Sequence, residues 1–478
     1  MIKKIGVIGG GTSGLIAALI LKMRFPKFKI DVIRSDKIGI IGVGEGSTEH
    51  WMEFCTFCEI TREELVKATN ATFKYGVMFD GWTKEKYMHN VNPIMFIKYG
   101  QYLGGYAHVC INKTKSPDYI GPAYFKNKVY RTQPPNQFHF DTFKLNDFLL
   151  AKCKEKNINI IEDEISKVDI KNNQIQSLNN KYSYDFYIDS TGFKKVLISK
   201  LGAKWNSHAK YLPMNEAIAF PTPDTDEYSP FTLAKAMTSG WMWRIPTQGR
   251  WGNGYVFNNN YINAEQAKKE CEDYLGFKIK IGKNIKFNAG ALDRAWIGNC
   301  VAIGLSSSFI EPLEASSIGT SIQQTFFLMH LLINYEQADI DFYNKKFQLM
   351  TENIRDFVLL HYITDKKDSL FWKELKLNLP KSLANNLKKW KYRLPLEEDF
   401  AGKYFLFNES NFGIILKELN LINTSALKKE YNMLAKNIRL EIETRLKQIK
   451  DTSLLIPVSH KRIIKDFVDG KKVFPGTG

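Results

Sequence analysis

The start of the chain combines two apolar stretches with a glycine-rich turn, and this unit limits the fold more than any other feature. Residues 2–8 (IKKIGVI) are predicted to form a buried strand, and a G-x-G-x-x-G motif follows at residues 9–14. A helix over about residues 15–23 and a second strand over residues 29–33 complete the unit. Glycines at this spacing let the backbone approach a pyrophosphate, and the helix start stabilises its charge. The unit predicts a dinucleotide-binding domain of the α/β class.

Two more segments extend this prediction. Residues 40–48 (IIGVGEGST) are a second glycine-rich turn, in which Gly46 and its neighbours predict backbone packed against a flat ligand. An apolar strand ends in Asp189, which we predict to be a second contact of the cofactor's pyrophosphate arm or else a helix N-cap. At the end of the second strand, Arg34 stands where the fingerprint usually has an acidic residue for a ribose hydroxyl.

Two carboxylates lie close together in the stretch Val301–Gly319 (VAIGLSSSFIEPLEASSIG). We predict a strand, a loop with Glu311 and Glu314, and a helix that starts near Ser316 and Ser317. Unpaired N–H groups at a helix start can hold an anion. The plain alternative is that Glu314 and the serines only cap the helix.

A lysine and a pair of tryptophans are further candidates. Lys74 lies among apolar residues in a predicted strand. It is either the polar side of that strand or a partly buried lysine, whose pKa desolvation would lower and so prepare for chemistry. Trp241 and Trp243, in GWMWRIP, are two residues apart and therefore face the same side of a strand. The pair predicts either core packing or an aromatic wall.

Charge and cysteine content exclude several classes of protein. The 67 Lys and Arg residues against 50 Asp and Glu give +17, but the lysines are spread along the chain. We interpret them as solvated surface with some attraction for a phosphorylated cofactor, and predict no nucleic-acid partner.

The CxxC pair, Cys55 and Cys58, has no second pair or histidine cluster beside it, so we predict ordinary thiols and no metal site. No apolar run reaches about 18 residues and no signal peptide is evident, which predicts a soluble, cytoplasmic protein without a membrane partner.

The remaining pattern predicts the domain organisation. Residues 205–300 are rich in strands, residues 85–135 form an irregular insertion on the substrate side, and the chain after residue 316 is helical. We predict a cofactor-binding core over 1–375 and a helical substrate-covering module over 376–478.

Seven segments, in order over about residues 3–375, resemble the flavin-dependent halogenases of the tryptophan halogenase family. They are GxGxxG at 9–14, IGVGEGS at 41–47, TFK at 72–74, GWMWRIP at 240–246, GYV at 254–256, FIEPLE at 309–314 and IRDFVLLHYITDKKDSLFW at 354–372. The resemblance implies an FAD-binding Rossmann-like domain of the flavin monooxygenase type, with a β-rich insertion and a C-terminal helical module.

The same resemblance implies roles for individual residues. Reduced FAD, oxygen and a halide (chloride, bromide or iodide) would give hypohalous acid, which Lys74 would meet by hydrogen bonding or as a haloamine. Glu314 would assist near an indole or phenol type substrate, and the amides of Ser316 and Ser317 would hold the halide. The implied FAD contacts are Gly9, Gly11, Thr12, Ser13, Gly14, Gly46, Asp189, Leu305 and Ile318. The path between flavin and substrate would be lined by Trp241, Trp243 and Ile245.

Partners and alternatives follow from the same reading. With one dinucleotide fingerprint, the chain is expected to receive reduced flavin from a separate reductase, and a homo-oligomer is compatible with this reading. Ala315 and Ser317 stand where the family commonly has serine and glycine, and Phe412 where a tryptophan is expected in members that act on free tryptophan. The alternatives are a flavin-dependent aromatic hydroxylase and a non-enzymatic FAD-binding protein.

Overall fold

The structure, a computed structural model, describes residues 2–40, 42, 45–90, 106, 121–132, 134–400, 405–453 and 455–474. Within these residues it confirms the predicted α/β class, with a parallel sheet and a largely antiparallel one. Most of the insertion predicted at residues 85–135 lies outside the described residues, as does part of the second glycine-rich turn. No helix in the described part of the chain is long and apolar enough to cross a bilayer.

The strands are numbered in chain order. They are β1 (Lys4–Ile8), β2 (Lys29–Arg34), β3 (Glu45–Gly46), β4 (Thr72–Lys74), β5 (Gly76–Asp80), β6 (Tyr87–Asn90), β7 (Lys128–Val129), β8 (Gln137–Phe140), β9 (Asn159–Glu162), β10 (Val168–Lys171), β11 (Gln174–Leu178), β12 (Phe186–Asp189), β13 (Trp205–Ser207), β14 (Glu216–Pro223), β15 (Thr232–Met237), β16 (Gly240–Thr247), β17 (Arg250–Phe257), β18 (Lys283–Lys286), β19 (Gly290–Leu292), β20 (Trp296–Ile297), β21 (Cys300–Ala302), β22 (Ser308–Phe309) and β23 (Val458–Ser459).

The helices are numbered in the same way. They are α1 (Thr12–Arg24), α2 (His50–Phe57), α3 (Arg62–Ala68), α4 (Gly121–Tyr124), α5 (Thr142–Glu155), α6 (Ala264–Leu275), α7 (Ser316–Leu331), α8 (Gln337–His361), α9 (Leu370–Glu374), α10 (Lys381–Trp390), α11 (Glu409–Glu418), α12 (Thr424–Met433), α13 (Lys436–Ser453) and α14 (His460–Val468).

The first sheet is the dinucleotide-binding sheet that the N-terminal motif predicts. Its order is β20-β21-β12-β1-β2-β9, and all neighbours except β20 and β21 are parallel. β12 follows β10 and β11 in the chain but does not extend their antiparallel hairpin. That strand leaves the β10–β11 hairpin and pairs with β1, because its four buried residues suit the interior of a covered parallel sheet.

The second sheet carries the tryptophan pair. Its order is β18-β14-β17-β16-β15-β5-β6, and it is antiparallel except where β15 pairs with β5. The predicted strand that carries Lys74 ends at that residue, and after Tyr75 the chain continues as β5. The break at Tyr75 lets β5 join this sheet while β4 joins a small sheet of order β3-β8-β4. Gly46 in β3 and Lys74 in β4 are thus held on the two sides of β8.

The end of the chain returns to the core. Residues 458–474 were predicted to belong to a separate helical module, but β23 pairs with β7 and α14 packs against β4. The main-chain N–H of Phe73 donates to Nε2 of the buried His460 at 3.3 Å. Phe467 and Phe474 also contact the Phe73 ring. The strand that holds Lys74 is therefore packed beneath the C-terminal segment.

Candidate active site

The glycine-rich turn after β1 lines an elongated cavity of about 510 Å³, called the glycine-turn cavity here. Gly9, Gly11, Thr12 and Ser13 lie in its wall, as the sequence predicts. A Cβ atom on Gly14 would lie 2.1 Å from the Gly9 carbonyl oxygen, whereas a Cβ on Gly11 would meet no atom within 4 Å. Gly14 therefore packs the helix against the turn, and Gly11 leaves open space at the helix start, which suits a pyrophosphate.

Asp189 lies behind the wall of this cavity. Its buried carboxylate accepts hydrogen bonds from the backbone N–H groups of Thr191, Leu197 and Ile198. Residues 190–192 line the cavity in its place. The predicted cofactor contact of Asp189 stays a prediction. Within the protein, Asp189 fixes the turn that places residues 190–192 in the cavity wall.

Arg34 lines the far part of the glycine-turn cavity at the end of β2. It forms an ion pair with Asp36, so the acidic residue expected in the fingerprint lies two positions later and faces Arg34. β2 is therefore followed at this cavity by an ion pair in place of a lone acidic residue.

A second cavity, of about 200 Å³, is called the tryptophan-lined cavity here. The predicted residues in its wall are Gly46, Trp241, Trp243, Ile245, Leu305, Glu314, Ser316, Ser317 and Ile318. The indole rings of Trp241 and Trp243 lie 6.2 Å apart and are both buried, so they serve as core and as cavity wall at once.

The two cavities meet at the start of α7. Both are lined by Glu45, Phe193, Leu305, Ser317 and Ile318. Together they offer a long polar groove that leads into an apolar, aromatic chamber. This shape and lining fit a dinucleotide whose flat ring system lies in the chamber.

The backbone turns sharply just before α7. Glu314 has φ of 66° and Ala315 has φ of 54°, both in the left-handed region. For residues with a Cβ atom this region costs about 1–2 kcal/mol each. The turn directs the Glu314 side chain away from α7, whose start has no side-chain cap. The cap interpretation of Glu314 is therefore wrong, and strain of this kind is typical of functional sites.

Glu314 is held between two histidines. Its carboxylate oxygens both lie 2.8 Å from Nδ1 of His89, and Oε1 lies 3.1 Å from Nε2 of His361. All three side chains are buried. Burial alone pushes the pKa of Glu314 up, but the charge and hydrogen bonds of the imidazoles outweigh it and hold the pKa well below the usual range of a carboxyl.

The hydrogen-bond network orients both rings. Asn408 donates its N–H to Oδ1 of Asn411, which leaves the Asn411 amide to donate to Nε2 of His89 at 3.1 Å. Nδ1 of His89 therefore carries the hydrogen that faces Glu314. Nδ1 of His361 lies 2.8 Å from the Phe357 carbonyl oxygen, which can only accept. Nε2 of His361 is therefore the ring nitrogen that faces Oε1 of Glu314.

Glu311 has a different environment three residues earlier. It is 2% exposed and lines the tryptophan-lined cavity. Oε1 accepts from the Tyr362 hydroxyl at 2.8 Å and from the Trp241 indole at 3.2 Å, while Oε2 has no partner among the residues that the structure describes. Burial raises the pKa of Glu311 to about 7, since the two neutral donors offset only part of the desolvation.

Lys74 lies directly behind Gly46. Its buried amine donates to the Ser47 carbonyl oxygen at 2.8 Å. A Cβ atom on Gly46 would lie 3.5 Å from Nζ of Lys74 and 3.3 Å from Cβ of Ala315. The missing side chain of Gly46 thus keeps a gap between the lysine and the residue that follows Glu314. Burial lowers the pKa of Lys74 to about 8, although Glu314 and Glu49 act in the opposite direction.

Several residues of the site were not predicted. His89, His361 and Asn411 support Glu314, Tyr362 supports Glu311, and Glu45 lines both cavities with its pKa raised to about 7 by burial. Glu45 lies in the motif at 41–47 and His361 in the motif at 354–372. An acid between two glycines and a histidine in an apolar helix are the sequence features that could have indicated these two residues. By contrast, Cys55 and Cys58 are buried free thiols whose pKa values burial raises.

Comparison of the sequence with known proteins agrees with this geometry. The sequence profile of the tryptophan halogenase family matches residues 4–431. A tryptophan 6-halogenase from Streptomyces toxytricini is 27% identical over 512 aligned positions, which cover 92% of this chain and 96% of that protein.

Comparison of the fold gives the same result. A flavin-dependent halogenase from Xanthomonas campestris matches with a TM-score of 0.84 at 25% identity, over 98% of each chain. A tryptophan halogenase from Shewanella frigidimarina matches with a TM-score of 0.88 over 99% of this chain and 98% of that one; at 22% identity, this shows likeness of fold alone. Since the family profile spans most of its length, the chain belongs to the tryptophan halogenase family and is a flavin-dependent halogenase.

Proposed function

We propose that the protein converts a halide to hypohalous acid with reduced FAD and oxygen, and that Lys74 and Glu314 direct this acid to an electron-rich aromatic substrate. One observation carries the proposal. The buried amine of Lys74 and the turn that carries Glu314 approach each other across Gly46, beside the chamber that fits a flat ring system. Reduced flavin with oxygen supplies the oxidising equivalent when bound.

The start of α7 is the proposed halide seat. Ser316 and Ser317 are its first two residues, and both line the tryptophan-lined cavity. Their N–H groups lack partners within the helix and carry partial positive charge, which favours an anion. Ser317 also lines the glycine-turn cavity, so this seat adjoins the space proposed for FAD.

FAD itself is proposed to lie across both cavities. Gly9, Gly11, Thr12 and Ser13 would contact the phosphates at the start of α1. Gly46, Leu305 and Ile318 would contact the part that enters the chamber, which they line. Gly14 would act through packing of the helix.

Lys74 is proposed to receive the hypohalous acid. A pKa of about 8 leaves both the ammonium and the amine accessible near neutral pH. The ammonium could polarise the acid by donating a hydrogen bond. The amine could instead take the halogen as a haloamine, in which case the O–halogen bond breaks and the hydroxide leaves with an amine proton as water. Both forms keep the oxidant at the gap behind Gly46 rather than in water.

Glu314 is proposed to take the proton that the aromatic ring loses. An arenium ion is a strong acid, so even a carboxylate of low pKa is a sufficient base. The low pKa has a benefit, because it favours the ionised form of Glu314, which is the form that can accept a proton. The contacts to His89 and His361 fix the direction of its oxygens.

The proposed substrate is an indole-type aromatic, because the relatives are named for halogenation of tryptophan. Phe412, which stands where a tryptophan is expected, is buried against Phe357 and Trp390. It therefore contributes packing in the helical region. A separate flavin reductase is proposed as the partner, since one dinucleotide fingerprint is present.

The first test is mass spectrometry of the products. The protein would be given FAD, a flavin reductase, NADH and a panel of indoles and phenols, with chloride, bromide or iodide in parallel tubes. We expect mass shifts that match the added halide. In Lys74→Ala, halogenation should fall by at least about a hundredfold while FAD binding and peroxide release continue.

Lys235→Ala is the matched control, because Lys235 in β15 pairs with Asp80 on the neighbouring strand β5 and lines neither cavity. Its yield should equal that of the wild type. Full halogenation by Lys74→Ala would show that the wrong lysine is assigned. A shift of one oxygen atom would favour the hydroxylase alternative, and rapid NADH oxidation without the reductase would contradict the proposed partner.

A further inference from the structure

Glu311 has a carboxyl oxygen for which the described residues provide no partner. Oε1 is held by Tyr362 and Trp241, but Oε2 is buried and makes no hydrogen bond within the described part of the chain. A buried, ionised carboxylate is normally paired with a cation or surrounded by donors. A protonated carboxyl needs one acceptor at most, and the residue lines a cavity where a ligand can supply it.

The charged groups around the cavity do not compensate Glu311. Glu45 and Glu314 lie in the same wall, and they are acidic. The histidines that face Glu314, His89 and His361, are bonded to that carboxylate. Lys74 lies behind Gly46 with its amine bonded to a carbonyl oxygen. Among these neighbours, the groups in contact with Glu311 are a phenol and an indole.

We propose that Glu311 is the proton partner of the halide: the anion binds at the start of α7 only while Glu311 is protonated, so halide and proton enter the cavity together. This rests on the proposed function, because it takes Ser316 and Ser317 as the halide seat. It assigns Glu311 a positioning role in the halide-binding step.

The physical reason is the cost of a second negative charge in a small apolar chamber. Charges interact strongly where water is excluded. An ionised carboxylate in the wall of this cavity of about 200 Å³ would therefore weaken the binding of a halide inside it. Protonation removes that charge and turns Oε2 into a hydrogen-bond donor or a neutral acceptor. A pKa near 7 allows this at ordinary pH.

The sign of the effect follows from linkage. Below the pKa of Glu311 the proton is already bound, and halide affinity is independent of pH. Above it, each halide must bring a proton, so affinity falls by about tenfold per pH unit. Over the same range, the number of protons taken up per halide bound rises from zero towards one.

The experiment is isothermal titration calorimetry of the FAD-loaded, oxidised protein with sodium iodide between about pH 5.5 and pH 8.5, at constant ionic strength with sodium gluconate. Repeating each titration in two buffers of different ionisation enthalpy gives the protons taken up. For the wild type we expect a constant dissociation constant at low pH, a rise of about tenfold per unit above pH 7, and proton uptake that increases with pH.

Three variants locate the proton. Glu311→Gln, a neutral isostere, should remove both the slope and the proton uptake around pH 7. Tyr362→Phe removes a donor that favours the ionised form of Glu311, so the pKa of Glu311 should rise. The pH above which the iodide dissociation constant begins to increase should therefore be higher than in the wild type. Glu45→Gln tests the other acid of the same wall, since Glu45 also lines the cavity and burial raises its pKa to about 7 as well. A pH slope that persists in this variant and is lost in Glu311→Gln places the proton on Glu311.

Each other outcome is decisive. A wild-type affinity that does not change with pH overturns the proposal. A slope that survives Glu311→Gln but disappears in Glu45→Gln also overturns it and moves the proton to Glu45. Absence of saturable iodide binding at every pH refutes the halide seat itself, which is a failure of the proposed function. Thermal melting and the flavin absorption spectrum check that each variant is folded and loaded.

Discussion

Glu311 and Glu314 lie at the two ends of one short turn, and both are more than nine-tenths buried in the wall of one cavity. Burial raises the pKa of Glu311 to about 7, while the pKa of Glu314 is held well below its usual range. The two environments come from adjacent residues at the end of α8. His361 contacts Glu314, and Tyr362 contacts Glu311.

The difference shows that the type of partner decides the character of a buried carboxyl. A phenol and an indole donate hydrogen bonds but bring no positive charge, so desolvation dominates at Glu311. Imidazoles can share a proton with the carboxylate, so attraction dominates at Glu314. Groups whose pKa values are pushed apart within one site commonly take separate acid and base roles. We assign the proton-holding role to Glu311 and the base role to Glu314.

The strongest test of this division is Glu314→Gln, which keeps the size of the side chain but removes its charge. We expect halogenated product to form about 10²–10⁴-fold more slowly, because the ring proton loses its base. Flavin turnover should continue. Product mass and peroxide release, measured in the same reductase-coupled tubes, report the two quantities.

Glu311→Gln is the matched comparison, since both variants change one buried acid to its amide. At pH 6, where Glu311 is largely protonated, its loss of rate should be at least about ten times smaller than that of Glu314→Gln. Equal losses would erase the proposed difference between the two acids. An unchanged rate in Glu314→Gln would make that residue structural.

A weaker perturbation is His361→Gln, which removes one imidazole from Glu314. Burial is then opposed by His89 alone, so the pKa of Glu314 should rise. A base works only when ionised, which is above its pKa, so activity should be lost as pH falls. We expect a rate about ten- to a hundredfold lower below pH 6 and closer to wild type near neutral pH. A pH–rate profile at saturating halide and substrate measures this.

The neighbouring change Tyr362→Phe is the control for His361→Gln. It alters the partner of Glu311 and leaves the contacts of Glu314 in place. The acidic limb of its pH–rate profile should match that of the wild type. A loss of halogenation rate at low pH in both variants would mean that disturbance of the end of α8, rather than loss of the imidazole, causes the pH dependence.

Much of this site could be predicted from the sequence because its signals are local. The glycine spacing at residues 9–14, the tryptophans two apart in β16 and the start of α7 are each encoded within a few residues. The structure places the predicted residues around two joined cavities, apart from Lys74 behind Gly46, Gly14 in the helix packing and Asp189 behind the turn.

The partners of the carboxylates could not be predicted in this way. His89 and His361 lie 225 and 47 positions from Glu314, and Asn411 lies 322 positions from His89. No spacing rule links residues that meet only after the sheets and helices have packed. The sequence therefore indicates that two acids lie near an anion site. The tertiary contacts decide that the pKa of Glu314 is lowered and that the pKa of Glu311 is raised.

The mildest change that sharpens the comparison is Asn411→Leu, which acts on Glu314 through His89. Loss of the amide that donates to Nε2 frees the His89 ring to adopt its other tautomer, which presents no hydrogen to Glu314. A hydrogen bond of about 1 kcal/mol corresponds to a roughly fivefold slower halogenation. Asn408→Ala is the control, because it removes the cap of the same helix at a cost of about 1 kcal/mol without a contact to His89. Tm should fall in both variants, but product formation should slow only in Asn411→Leu; equal slowing would assign the effect to α11.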